Sequence, residues 1–405
     1  MVEVEGLRAA VDIIIPVYRD LAATRRCLTS VLANTPASAN VVLVDDASPE
    51  PELSAWCDEM ATDTRVELLR NATNLGFVAS VNRAMALHGD RDVVLLNSDT
   101  EVPPGWLQRL QACARQADDV ATVTPFSNNA TICSYPFFCQ SSELPAGLDV
   151  AALDNLFARA NAGQSLELPT AVGFCMYIRR ESLDSLGLFD ADRYGRGYGE
   201  ENDFCRRALA HGWRNLLCAD VFVYHQGAVS FGDDRRALMD RAATLLEERY
   251  PDYPEAVAHF VAADPARGFR DAVDRLRAAL PGQAELVVEE GHTARNQLLD
   301  RLAKVQQLQL EWQRQYKLRC EEYEQQSAEY DQRCAVYEQL LSEERASFAA
   351  TTDALANAER IAEEKQREII ELGAALEQAR LELHQIKSSR VWRYSRWLRN
   401  LMDTP

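Results

Sequence analysis

The chain has 405 residues, a formal net charge of −19 and an apolar fraction of 47%. Its length exceeds one ordinary domain, and the apolar share is ample for a core. The acidic balance excludes nucleic-acid binding through the general surface, because phosphate contacts need a basic face. Ten cysteines stand at 27, 57, 113, 133, 139, 175, 205, 218, 320 and 334, with no Cys-x-x-Cys pair. Several lie inside apolar runs, which points to reduced, buried thiols rather than disulfides or zinc ligands. Residues 1–10 carry acids and lack the basic-then-apolar pattern of a signal peptide. No apolar run approaches the ~20 residues of a membrane span. A soluble, cytoplasmic protein is expected.

Residues 11–17, Val-Asp-Ile-Ile-Ile-Pro-Val, predict a first strand stopped by Pro16. Helical spacing follows over Leu21 to Ala33. A second strand, Val41 to Val44, ends in Asp45-Asp46-Ala47-Ser48. A helix over Glu52 to Thr62, a strand over Val66 to Leu69 and a helix over Val78 to Leu87 complete the alternation. The next apolar run, Val93-Val94-Leu95-Leu96, stops abruptly in Asn97-Ser98-Asp99-Thr100-Glu101. Four aliphatic residues in a row suit a strand buried on both faces. The whole pattern implies βαβ units and a mostly parallel sheet with helices on both faces. Both strong strands end in acids, at the edge where open α/β sheets bind ligands. Asp99 with Glu101 is a hard-oxygen pair suited to Mg²⁺ or Mn²⁺.

Residues 120–170 read as irregular, with a polar turn at Ser127-Asn128-Asn129 and aromatics from Tyr135 to Phe138. Such a segment suggests a substrate-covering loop. A strand is expected from Ala171 to Arg180, a helix from Asp203 to His211, and a strand over Val221 to Tyr224 with His225 at its end. Residues 236–290 read as a helical extension, interrupted by Pro251, Pro254 and Pro265.

Beyond residue 290 the composition shifts to Gln, Glu, Arg and Ala. A heptad register holds from 316 to about 386. One position carries Cys320, Ser327, Cys334, Leu341, Phe348, Leu355, Ala362, Ile369, Leu376 and Leu383. The other carries Tyr316, Tyr323, Tyr330 and Tyr337, then Glu344, Thr351, Ala358, Lys365, Leu372, Ala379 and Ile386. This predicts a coiled coil over 291–388 and, through it, a homo-oligomer. Leu298, Leu302, Val305 and Trp312 fit a displaced register, a stutter. In the tail, residues 389–405, Val391, Tyr394, Trp397, Leu398 and Leu401 share one helical face, with Arg393, Arg396 and Arg399 opposite. That pattern suits peripheral contact with a membrane surface, or docking on protein.

Seven fragments occur in one order: Ile13 to Tyr18 (Ile-Ile-Ile-Pro-Val-Tyr), Val44-Asp45-Asp46-Ala47-Ser48, Asn74-Leu75-Gly76-Phe77 with Asn82, Asn97-Ser98-Asp99, Gly173-Phe174-Cys175, Tyr198 to Asp203, and His225. Over residues 11–235 the chain resembles a family 2 glycosyltransferase of the GT-A fold, the inverting kind that uses nucleotide-sugars. The resemblance implies that Pro16, Tyr18, Asp45 and Asp46 frame the nucleoside, with Asn74, Gly76 and Asn82 completing its pocket. It gives Asp99 the divalent metal, Mn²⁺ or Mg²⁺, that bridges the two phosphates, and makes His225 a second ligand. Asn97 stands where a first acid often stands and offers an amide oxygen to the donor; Glu101 is a weaker metal candidate.

Inverting transfer needs a base for the acceptor hydroxyl. The resemblance maps it onto Glu201, with Glu200 as the alternative and Asp203 as a supporting or acceptor-binding acid. The helix N-terminus is expected to favour the ionised form of these acids. The implied activity is sugar transfer, hexosyl or deoxyhexosyl, to a glycan or lipid-linked glycan acceptor. The start of the tail, Ser389-Arg390-Val391-Trp392-Arg393, is similar to tails of bacterial surface-polysaccharide enzymes. Two rivals remain at this point. One is an inactive scaffold that organises partners through the coiled coil. The other, a nucleotidyltransferase, lacks support because Pro16 to Arg26 supplies no Gly-rich phosphate loop.

Overall fold

The computed structural model of the chain describes residues 10–227, 235–348 and 352–388. The chain falls into two compact units, divided between Ala294 and Arg295. The first unit opens with β1 (Val11–Val17), α1 (Leu21–Asn34), β2 (Asn40–Asp45), α2 (Pro51–Met60), β3 (Val66–Arg70), α3 (Phe77–Met85) and β4 (Asp92–Leu96). Next come β5 (Thr100–Glu101), α4 (Trp106–Ala114), β6 (Val120–Phe126), α5 (Val150–Ala160), β7 (Ser165–Leu168), β8 (Cys175–Ile178), α6 (Arg180–Leu186), α7 (Ala191–Tyr194) and α8 (Glu200–Ala210). Then follow β9 (Arg214–Phe222), β10 (Tyr224–His225), α9 (Arg235–Arg249), α10 (Tyr253–Ala263) and α11 (Arg267–Ala278). Two long helices close the chain, α12 (Ala284–Phe348) and α13 (Thr352–Ser388).

Eight strands form one sheet in the order β3-β2-β1-β4-β8-β6-β9-β7. β3, β2, β1 and β4 are parallel, and Ile13 lies beside both Val41 and Val94. β6 and β9 are also parallel, but β8 runs antiparallel between β4 and β6, and β7 antiparallel to β9. Helices cover both faces. Ile13 and Ile15 join one core with residues of α1, α2 and α4, while Ile14 joins the other with α3 and α8. Burial on both sides is why these strands read as unbroken apolar runs.

β1 does not stop at Pro16; it pairs with β2 through Val17. The Val17 carbonyl accepts from Asp46 N at 2.9 Å on the β2 side, so Pro16 faces the β4 side. Pairing with β4 has already ended at Ile14, so no partner there needs the missing N–H. β1 and β4 part at this point, and the crevice between their ends is where the strand order reverses, with Tyr18 on one lip and Asn97 to Asp99 on the other. Residues 120–170, expected as an irregular loop, contain β6, α5 and β7. β6 is buried at every position, and Thr122, Thr124 and Pro125 had hidden its apolar character. β9 likewise begins at Arg214, well before Val221, and His225 belongs to the separate strand β10.

A buried ion pair fastens the first turns of α12 to this unit. Arg277 is 0% exposed, and its two terminal nitrogens donate to Glu290 at 2.7 and 2.6 Å. Arg277 Nε donates to Gln283, and Tyr135 OH donates to Asp274 at 2.7 Å while accepting from Arg277. Removing one partner leaves a buried charge uncompensated. Arg277→Ala is therefore expected to lower stability by about 3–5 kcal/mol, read as the unfolding midpoint in denaturant.

In the second unit α12 and α13 lie side by side and run antiparallel. Tyr323 OH donates to Glu382 at 3.1 Å, Arg333 lies 3.8 Å from Glu368, and Lys365 Nζ sits 4.0 Å from the centre of the Tyr337 ring. The half-buried residues here include Tyr316, Cys320, Tyr323, Ser327, Tyr330, Cys334 and Tyr337 on α12. On α13 they include Lys365, Ile369, Leu372, Leu376 and Ala379. These are the heptad positions. The seam expected to recruit further copies faces a helix of the same chain, so burying it does not require a second copy. The tail, residues 389–405, lies outside the described residues. Among the described residues no helix is long and apolar enough to cross a membrane.

Candidate active site

The crevice is built by short elements that periodicity does not reveal. β5 and β10 pair antiparallel, with His225 opposite Thr100. Gln226 N donates to Asp99 O at 3.0 Å, closing this ribbon over the end of β4. The result sets His225 Nε2 3.4 Å from Asp99 Oδ1. The Asn97 amide reaches the same point, its Nδ2 3.4 Å from His225 Nε2. The other ring nitrogen, Nδ1, lies 2.7 Å from the carbonyl oxygen of Asn129. A carbonyl only accepts, so Nδ1 carries a proton, and Nε2 is the nitrogen turned toward Asp99.

An imidazole nitrogen and a carboxylate oxygen facing each other at 3.4 Å call for a cation or a proton between them. Burial raises the Asp99 pKa, but the hydrogen bond and charge of His225 and the Gly227 N–H, 2.9 Å from Oδ2, more than offset it. The carboxyl is held below its usual range. These residues fit a divalent metal: a deprotonated carboxylate, an imidazole with its far nitrogen tied back, and an amide that offers oxygen on rotation. Among the described residues no group of three or more His, Cys, Asp or Glu side chains could hold a metal ion. A hard cation here would complete its shell with phosphate oxygens and water, as Mg²⁺ sites commonly do. Glu101, the weaker candidate, pairs with Arg26 at 3.3 Å instead.

The antiparallel insertion of β8 brings the second half of the site. Cys175 pairs with Leu96, so Phe174 falls beside Asn97 and accepts its N–H at 2.8 Å. The Phe174 ring stacks on His225, with centroids 5.2 Å apart and an interplanar angle of 18°. One residue earlier, a Cβ on Gly173 would lie 3.7 Å from Glu201 Cγ. A two-residue strip thus connects the metal-binding candidates to the acids of α8.

α8 opens at Gly199, whose φ of 90° suits glycine, and its first turn holds Glu200, Glu201 and Asp203. Burial pushes the Glu200 carboxyl well above the ordinary glutamate range, and the charge of Glu201 pushes it further. Burial also raises Glu201, but the amides of Glu201, Gly199 and Asn202 and a hydrogen bond from Glu200 oppose this. Both acids are raised, and Glu200 is the one pushed further. The expectation that the helix terminus would win outright is corrected, because desolvation outweighs it.

Several other candidates are committed elsewhere. Asp203, fully buried, accepts from Arg207, Arg249 and Tyr250 at 2.9, 2.9 and 3.0 Å, and so ties α9 to α8 rather than facing an acceptor. Asn82 uses both ends of its amide on the Phe189 backbone, at 2.8 and 3.1 Å, outside the crevice. Asp46 accepts from Asn71 Nδ2, Leu75 N and Gly76 N at 2.8, 2.7 and 2.9 Å. Asp45 accepts from Ser48 N, Ser54 Oγ and Arg70 Nε at 2.9, 2.8 and 3.0 Å. These two acids shape the loops around the crevice. Gly76, at φ 84°, admits the Arg196 backbone, which a Cβ would meet at 2.8 Å, and Asn74 touches the Arg196 side chain at 3.4 Å. Pro16 and Tyr18 remain half-exposed beside the crevice. Phe174, Gly227 and Asn129 were not among the site residues read from the sequence, though the Asn-Asn turn and the Gly-Phe-Cys fragment marked two of the places.

Residues 12–187 match the family model described as glycosyl transferase family 2. The match runs from β1 to the end of α6, less than half of the chain. The central sheet with helices on both faces is the α/β architecture expected from the sequence, with β8 and β7 antiparallel within it. The chain is 27% identical over 282 residues to an uncharacterized protein, y4gI, of Sinorhizobium fredii, covering 65% of this chain and 29% of that protein. An uncharacterized glycosyltransferase of Haemophilus influenzae is 20% identical over 113 residues, 28% of this chain and 35% of that protein. The chain thus spans about a third of the length of the curated relatives it matches. Similar solved structures include GalNAc-T7 with UDP, GalNAc and Mn²⁺, at 19% identity and TM-score 0.46, covering 65% of this chain and 55% of that one. Another is the mannosyltransferase PcManGT from Pyrobaculum calidifontis with GDP-Man and Mn²⁺, at 19% identity and TM-score 0.44, covering 71% and 81%.

Proposed function

We propose that the chain is a metal-dependent, inverting glycosyltransferase that moves a sugar from a nucleotide-sugar to a hydroxyl of a glycan or lipid-linked glycan. Bacterial surface polysaccharide is the product class that the tail suggests. The observation that carries the reading is the Asp99–His225 pair, an acid and an imidazole nitrogen 3.4 Å apart. A divalent ion bound there acts as a Lewis acid, offsetting charge on the departing nucleoside diphosphate. The chain's own groups do the rest. Tyr18 and Pro16 border the nucleoside, and Asp45 and Asp46 hold the loops that frame it. Glu201 accepts the proton of the acceptor hydroxyl as that oxygen bonds to the anomeric carbon and the bond to the diphosphate oxygen breaks on the opposite face. Glu200, the acid of the pair raised further, leaves Glu201 the better base. The basic, aromatic tail is the part suited to a lipid surface.

The test is a screen of UDP-, GDP- and dTDP-sugars with Mn²⁺, following release of nucleoside diphosphate and thermal stabilisation. At least one donor is expected to stabilise the protein and turn over. No stabilisation and no release with any of them would favour a scaffold.

A further inference from the structure

Asn128, on the loop after β6, is only 2% exposed. Its side chain grips the main chain of His225 at both ends: Oδ1 accepts from His225 N at 2.9 Å, and Nδ2 donates to His225 O at 3.1 Å. Nδ2 also donates to Ser142 O at 2.8 Å, Ser142 N donates to Asn128 O at 3.1 Å, and Ser127 Oγ lies 3.3 Å from Oδ1. The amide therefore has both donors and its acceptor engaged. Taking the N–H and C=O of one residue together is what a neighbouring antiparallel strand does. β10 has only two residues, with β5 as its one strand partner. A ribbon that short is not stable by itself. The Asn128 amide supplies the missing strand on its other edge, while the next residue, Asn129, takes the ring Nδ1–H.

We infer that Asn128 is a positioning residue for His225: it fixes where Nε2 stands relative to Asp99 and so sets the affinity of this point for a divalent cation. The inference rests on the proposed role of Asp99 and His225 in holding the metal. Asn128 itself touches no substrate; its amide acts through the backbone of the ligand.

The test uses the full chain and Mn²⁺ alone as probe, with free ion followed by electron paramagnetic resonance and bound ion by its nitrogen hyperfine coupling. Loss of such an outer partner costs about 10–100-fold in metal affinity, and Asn128→Ala is expected to fall in that range with weakened nitrogen coupling. Asn128→Ser, which keeps one hydrogen-bonding group, is expected to lie between it and the parent. His225→Ala is the reference. If His225→Ala binds Mn²⁺ as the parent does, the metal reading itself fails. If His225→Ala loses the ion while Asn128→Ala binds within threefold of the parent with unchanged coupling, Asn128 has no positioning role. Loss of the folded circular-dichroism spectrum in both Asn128 variants would also overturn it, since Asn128 would then be holding the loop rather than the ligand.

Discussion

Asp99→Ala is expected to lower the rate of sugar transfer by about a thousandfold, on the view that a lost Lewis acid costs several kcal/mol in the transition state. The carboxylate is 12% exposed and hydrogen-bonded to Gly227 N, so it is already ionised and aimed before any ligand arrives. Alanine removes the one charged ligand and leaves His225 Nε2 facing nothing. Asp99→Asn keeps the shape and one oxygen, and should retain more activity at high Mn²⁺ than alanine does. Initial rates of nucleoside diphosphate release across a Mn²⁺ titration measure both. A rate unchanged in Asp99→Ala removes this residue from the metal site.

Glu201→Gln is expected to cost about 10²–10⁴-fold in kcat, the usual worth of a positioned general base, with a small change in KM for the donor. The pH dependence follows from the direction of the shift. A base works deprotonated, and burial raises Glu201 above the ordinary glutamate value of 4.5. The acid limb of the rate profile should therefore lie above pH 4.5, and activity should fall as pH drops through the raised value. Stability runs the other way. The folded state holds more protons than the unfolded chain between the ordinary glutamate value and the raised value of Glu200. Stability is thus lost as pH rises through that window. Glu200→Gln removes the group whose Oε2 is buried without a partner, and its unfolding temperature should decline less than the parent's as pH rises. An equal decline in both would place the strain elsewhere.

The parts of the fold that were legible owe it to burial on both faces. β1, β2 and β4 announce themselves because Ile13, Ile14 and Ile15, or Val93 to Leu96, each meet a core. The heptads from Tyr316 were legible for the same reason, since the half-buried positions repeat with the register. β6 was missed because two threonines and a proline sit within a fully buried strand. β5 and β10 were missed because two residues have no period. In the site, residue type was readable but availability was not. Asp46, Asn82 and Asp203 look identical in sequence whether they await a ligand or already hold two or more hydrogen bonds, and only those bonds separate the two cases. Glu200 and Glu201 are adjacent and chemically alike; the difference between them is how far each is raised, which depends on how deeply each is buried.

The pairing of α12 with α13 binds the lengths of the two helices together. Tyr323 meets Glu382, Arg333 meets Glu368 and Tyr337 meets Lys365, so advancing along one helix means retreating along the other. Deleting seven residues from one arm would leave about 10 Å of apolar seam on the other without a neighbour. Insertions and deletions can therefore be inherited without exposing that seam only in matched pairs, one in each helix. The arm can lengthen or shorten over evolutionary time, but in double steps.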